Sequence, residues 1–84
     1  MNNAILRRIT VTASYQPLTS ERVVGSFTIT APPSNAEPVQ LLGDTGDDVP
    51  MIPGEWHRFK SINLAELQVR GTPGDIVTVI GGTW

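Results

Sequence analysis

No cysteine occurs among the 84 residues, so neither a disulfide nor a thiolate metal site can reinforce the core. A domain of this size hides only about 60–65% of the surface its unfolded chain exposes, and secreted domains this small usually carry such staples. Their absence points to a reducing compartment of synthesis or to stability gained by association. Mass action makes association the favoured reading. A basic excess is lacking too. Six basic residues against eight acidic ones leave a net charge of -2, which is not the footprint of a nucleic-acid binder. No apolar stretch approaches the length of a membrane span. The opening Met1-Asn2-Asn3-Ala4-Ile5-Leu6 lacks the charged-then-apolar order of a signal peptide. The expectations are a single domain over residues 1–84, made in the cytoplasm, with neither nucleic acid nor membrane as partner.

What is present is alternation with a period of two. In Arg7–Ser14, Ile9, Val11 and Ala13 share one face, with Arg8, Thr10 and Thr12 on the other. In Val23–Thr30, Val23, Phe27 and Ile29 point one way, and Gly25 between them marks a bulge or a close approach. Gln16–Ser20 reads as a turn, because Pro17 cannot donate to a ladder. The stretch Ala31–Pro38, with Pro32, Pro33 and Pro38, reads as an exposed loop. Val39–Leu42 is a short strand, followed by a turn, Gly43–Asp48, rich in residues that tolerate left-handed backbone.

Pro53-Gly54 and Pro73-Gly74 have the chemistry of type II turns. The first predicts a hairpin of Val49–Ile52 with Glu55–Phe59. The second predicts a hairpin of Leu67–Arg70 with Ile76–Ile80, and the pair hints at an internal duplication. Asn63 is placed to cap one helical turn. The apolar run Ile76–Ile80 predicts a central strand covered on both sides, or one face given to an interface. About seven short strands with regular turn signals predict an all-β fold: a small antiparallel β-sandwich, jelly roll or barrel.

Catalytic chemistry finds little to work with. His57 is the single histidine, and a general base needs an oriented partner and a nucleophile within reach. No Gly-x-Ser-x-Gly elbow occurs. Glu55 and Glu66 can be posed as a glycosidase-like pair, but surface charge accounts for both. Gly71-x-x-Gly74 and Gly81-Gly82 lack the Lys-Ser/Thr and following helix of a phosphate loop. Asp44, Asp47 and Asp48 supply oxygens for a hard cation. Their spacing departs from the calcium-loop pattern, since Gly46 comes too early and no glutamate closes the loop, so a solvated turn is the simpler reading. The chain is expected to be no enzyme and to use no cofactor. Trp56 suits a core position. Trp84 either packs back on its own sheet or docks into a neighbouring subunit, since aromatic anchors are enriched at interfaces.

Three segments of the second half carry a resemblance: Val49–Glu55, Ile62–Gly71 and Gly74–Gly81, which share a turn, an Asn-Leu step and a Gly-Asp-x-Val-x-Val strand. Over roughly residues 38–84 the chain resembles small β-structured virion proteins of tailed bacteriophages. The resemblance implies a capsid decoration, or cement, protein located in the virion. Such a protein forms a homo-oligomer, read as a trimer, and ties the major capsid protein or another virion protein to its neighbours. Tail, neck or baseplate components belong to the same class. A small carbohydrate- or ligand-binding β-sandwich using Trp56, Tyr15 and the acidic turn is the reading from another class. No binding residue follows from the resemblance. If the protein assembles, Trp84, Trp56, Val77 and Val79 are the expected interface residues. The loop Pro32–Pro38 is the expected contact arm, and the extended Met1–Leu6 is a second candidate to reach a neighbour.

Overall fold

Alternation in the sequence becomes strands in the computed structural model, which describes residues 3–83. Along Val24–Thr30 each odd residue is buried and each even residue is half-buried, as a strand with one face on the core requires. The strands are β1 (Asn3–Thr10), β2 (Gln16–Pro17), β3 (Val24–Thr30), β4 (Val39–Leu42), β5 (Asp48–Met51), β6 (Trp56–Asn63), β7 (Gln68–Arg70) and β8 (Ile76–Thr83). One 3₁₀ turn, Leu64–Glu66, precedes β7. As the asparagine predicts, Asn63 caps this turn. Its side-chain oxygen accepts from the Ala65 N–H and from the Val23 N–H, each at 3.1 Å.

The pairing is nested. β1 pairs with β8, β2 with β7, β3 with β6 and β4 with β5, all antiparallel. The chain therefore behaves as one long two-armed ribbon creased between β4 and β5. Rolling that ribbon adds β3–β8 and β4–β7 pairing. The result is a large sheet, β1-β8-β3-β6, and a small sheet, β2-β7-β4-β5. This winding is a jelly roll, one of the all-β architectures expected from the sequence.

Both Pro-Gly turns form, and neither makes a hairpin. Glu55 N–H donates to Ile52 C=O at 2.9 Å and Asp75 N–H to Thr72 C=O at 3.0 Å, with positive φ at Gly54 and Gly74 as type II turns require. However, β5 lies in the small sheet and β6 in the large one, and β7 and β8 are divided in the same way. Each turn carries the chain from one sheet to the other. Consecutive strands pair only at β4–β5, across the acidic turn. The apparent duplication is the repeated need for a tight corner. The segment read as a turn at Gln16–Pro17 is a two-residue edge strand on β7.

The core lies between the sheets. Phe27, Ile29, Val77 and Val79 enter from the large sheet, Val39, Met51 and Val69 from the small one, and Val11, Leu18, Val23 and Leu64 from the connections. Ala13, expected on the buried side of the first strand, is exposed, because β1 ends at Thr10 and Val11 is the last residue to turn inward. β3 and β8 approach so closely that side chains are excluded. A Cβ on Gly25 would sit 2.1 Å from the Gly82 carbonyl oxygen, and one on Gly81 would sit 2.1 Å from that of Ser26. Beside this contact the β3–β6 register shifts between Gly25 and Phe27, so that Lys60 and Ser61 both face Ser26. Ser61 takes a positive φ of 53° at this bulge.

The proline loop is not a free arm. The Asn35 side chain bonds the Ile76 backbone at both ends, donating to its C=O at 2.8 Å and accepting from its N–H at 2.9 Å. The Asp75 carboxylate accepts from the Ala36 and Glu37 N–H groups at 3.0 and 3.2 Å. Asn35 and Asp75 are both buried, so the segment expected to reach outward is clamped to the corner before β8. Pro33 remains exposed at its tip, and Pro32 and Pro38 are half-buried.

Candidate functional site: an apolar sheet face and an open edge

The outer face of the large sheet carries large apolar side chains in water. Register places Leu6 beside Ile80, Ile80 beside Thr28 and Thr28 beside Arg58, in one row across the four strands. The adjacent row runs Arg8, Thr78, Thr30, Trp56. Leu6 is 70% exposed, Trp56 61% and Ile80 55%. The outward positions of the four strands include Arg8, Arg58 and Lys60 and hold no Asp or Glu, although the chain as a whole is negative. An apolar stripe in a cationic frame is therefore concentrated on one face of an acidic molecule.

A second feature lies where the two sheets part, between the edges β5 and β6. Leu41, Val49, Phe59 and Leu67 line a groove of about 390 Å³ with His57 at its margin. Val49 pairs with Leu41, which pairs with the fully buried Val69. Val49 thus points inward and is still 46% exposed, because no further strand closes the sandwich there. On the opposite side of the large sheet, Arg7 also faces inward, since it pairs with the buried Val79. There the gap, about 460 Å³, is lined by an ion pair, Arg7 Nη1 to Glu21 Oε1 at 2.9 Å. That guanidinium, with a bond from Ser20, holds the Glu21 carboxyl below the usual range.

The residues considered for catalysis are dispersed. His57 Nε2 meets the Glu55 carboxylate, which also accepts from the Ile52 N–H at 3.1 Å. The histidine first, and the backbone bond second, hold Glu55 below its ordinary range. Glu55 is thereby engaged in closing the Pro53-Gly54 corner, and Glu66 stands exposed on the 3₁₀ turn. Among the described residues no hydroxyl bonds to His57.

The acidic turn does not converge either. Asp48 bonds the Tyr15 hydroxyl and pairs with Arg70 Nη2 at 2.8 Å, and the Arg70 guanidinium lies 4.8 Å above the Tyr15 ring. Partial burial, and then the bond to Asp48, push the Tyr15 hydroxyl above its ordinary pKa. Asp47 bonds Thr45, and Asp44 is exposed. Among the described residues no three acidic or histidine side chains gather as a cation site. Tyr15 and the acidic turn belong to the small sheet and Trp56 to the large one, so the aromatic platform imagined for a sugar is split between them.

Of the expected interface positions, Trp56 is exposed and Trp84 lies outside the described residues. Val77 and Val79 are fully buried. They hold the monomer together and have no surface to offer, because the apolar run that contains them is split by the pleat: Val77 and Val79 inward, Ile76, Thr78 and Ile80 outward. Trp56, suited to a core position and also expected at an interface, faces outward on its strand with Arg58 and Lys60. The sequence reading overlooked Leu6 and Ile80. The available signal was phase, since Leu6 falls in step with Arg8 and Thr10 and out of step with Ile9 and Val11. No protein-family model, curated protein or solved structure matches the chain.

Proposed function

We propose that the protein is a non-catalytic assembly module, a cement-like virion component that docks through the outer face of its large sheet. One observation carries this reading: Leu6 and Ile80 lie side by side in solvent, with Trp56 on the same face. Apolar side chains grouped on a regular sheet mark an interaction surface, and an aromatic anchor is characteristic of one. The basic frame favours a heterologous contact, in which the face of one copy meets an acidic surface of the next copy or of a shell protein. Face-to-face packing would oppose Arg8 and Arg58 to their own images. A ring such as a trimer satisfies this rule. On a repeated shell, many weak contacts add by avidity. A tail, neck or baseplate position would use the same face.

The test is the solution mass by light scattering across a concentration series, for the natural chain and for the double variant Leu6→Ser, Ile80→Ser. The expected outcome is a stable multiple of the 9.1 kDa chain mass, reduced to the single-chain mass by the double variant. A natural chain that stays at 9.1 kDa up to millimolar concentration overturns self-association. A sugar series followed by Trp fluorescence would then test the ligand-binding reading.

A further inference from the structure

The two edges of the large sheet differ in a way that the assembly reading does not use. An edge strand presents unpaired N–H and C=O groups on which another strand can add. On β1 the gap behind the strand is also open, about 460 Å³, but it is lined by the charged side chains of Arg7, Glu21 and Arg22. On β6 the gap is the apolar groove of Leu41, Val49, Phe59 and Leu67. Facing it across the groove, β5 contains Pro50, which lacks a donor and suits an edge that is not to be extended. The bulge at Lys60 and Ser61 interrupts the pairing, which resumes at Ile62 and Asn63, and leaves Trp56–Lys60 as the longest regular stretch of that edge.

We propose that β6 is a strand-addition site for an extended segment of a partner protein, apolar at alternate positions and acidic between them. The pleat dictates this chemistry. His57 and Phe59 lie on the inward side of β6, with Trp56, Arg58 and Lys60 on the outward side. A strand added beside them sets one half of its side chains over the groove and the other half beside two cations. Main-chain bonds supply affinity and the groove supplies selectivity, as in other strand-addition sites. A second copy of this chain is a poor occupant. Antiparallel pairing of β6 with itself about Phe59 opposes Arg58 to Lys60, and pairing with β1 brings Arg7 and Arg8 alongside. Like charges directly opposite are destabilising. The inference deepens the assembly reading by naming the partner segment, and it rests on that reading for its biological setting.

Selection from random nine-residue peptides on the immobilised full chain tests it. Enriched sequences should alternate Val, Leu, Ile or Phe with Asp or Glu. The synthetic winner should slow amide hydrogen exchange in β6 and leave β1 unchanged. Val49→Asp, at a half-exposed position, should weaken the peptide tenfold or more with the thermal transition in place. Arg58→Glu should weaken it similarly and turn the preference toward lysine-bearing peptides. The proposal is overturned by absence of enrichment, by winners without alternation, by protection at β1, or by unchanged affinity in Val49→Asp. It is also overturned if a single-stranded oligonucleotide binds more tightly than the peptide, which would make the Trp56–Arg58–Lys60 surface a nucleic-acid site. A chain that oligomerises and enriches no peptide refutes strand addition alone. Peptide binding by a chain that stays monomeric refutes self-association alone.

Discussion

The large and small sheets share one core and present opposite exteriors. The small sheet is short and guarded: its edges are β2, which ends in Pro17, and β5, which contains Pro50. Its outer surface is polar and internally engaged, with Asp48 holding both Tyr15 and Arg70. The large sheet ends in two eight-residue strands, β1 and β6, and exposes Leu6, Ile80 and Trp56. Proline and closed ion pairs make a surface that asks for nothing. Long edges and apolar stripes make one suited to a partner. In a molecule this small, polar and apolar exteriors are thus divided between the two sheets.

The comparison can be broken most forcefully in the core. Phe27→Ala, on the large sheet, should cost about 3–5 kcal/mol, whereas Val69→Ala, on the small one, should cost about 2 kcal/mol. Urea midpoints measure both, and equal losses would show that the sheets share the core evenly. Asp75→Ala should cost about 1–3 kcal/mol, since it leaves the Ala36 and Glu37 N–H groups without their acceptor. Exchange at those two amides should accelerate first. Asp48→Ala, which frees Tyr15 and Arg70 on an exposed surface, should cost less than about 1 kcal/mol.

The smallest effect is a pH dependence that separates the sheets. Glu21 and Glu55, at the two edges of the large sheet, have lowered pKa values in the folded state. Their contribution is present above the ordinary carboxylate range and is lost as pH falls through the folded values. Tyr15, beside the small sheet, has a raised value. Its contribution is present below the ordinary tyrosine value of about 10 and is lost as pH rises through the folded value. Backbone exchange should therefore loosen near Arg7 and Ile52 in acid and near Tyr15 in alkali. Loosening of all three at the same end of the pH range would refute the assignment.

Turn types and several strands were legible in the sequence because both are local, whereas the first strand, expected at Arg7–Ser14, lies at Asn3–Thr10, and β2 reads as a turn. Alternation marked Val23–Thr30, found as Val24–Thr30, the Pro-Gly pairs marked two type II turns, and Asn63 marked its cap. Sheet membership was not legible. A type II turn at Ile52–Glu55 looks the same whether it closes a hairpin or bridges two sheets, and of the deciding partners, β4 for β5 and β3 for β6, the second is remote in the chain. The site was legible only in part. Trp56 could be named but not placed, because whether a tryptophan faces core or solvent depends on which side of the strand its sheet buries. In Ile76–Ile80 an apolar run broken only by Thr78 conceals two faces: Val77 and Val79, expected at an interface, are buried, and Ile80 is outward. The pinned proline loop was misread because its clamps, Asn35 and Asp75, lie far apart in sequence.

Nested pairing also sets the order of events at the ribosome. Asn3 ends up beside Thr83, and Thr10 beside Ile76, so β1 must wait for β8 before either is sheltered. The crease at β4–β5 can form early, but the large sheet cannot close around Phe27 until β8 emerges. Such distant closure folds slowly and leaves sticky surface uncovered in the meantime. The vulnerable interval thus lasts from the emergence of β1 to that of β8, and Arg7 and Arg8 give the waiting β1 a charge that opposes contact with a like-charged neighbour.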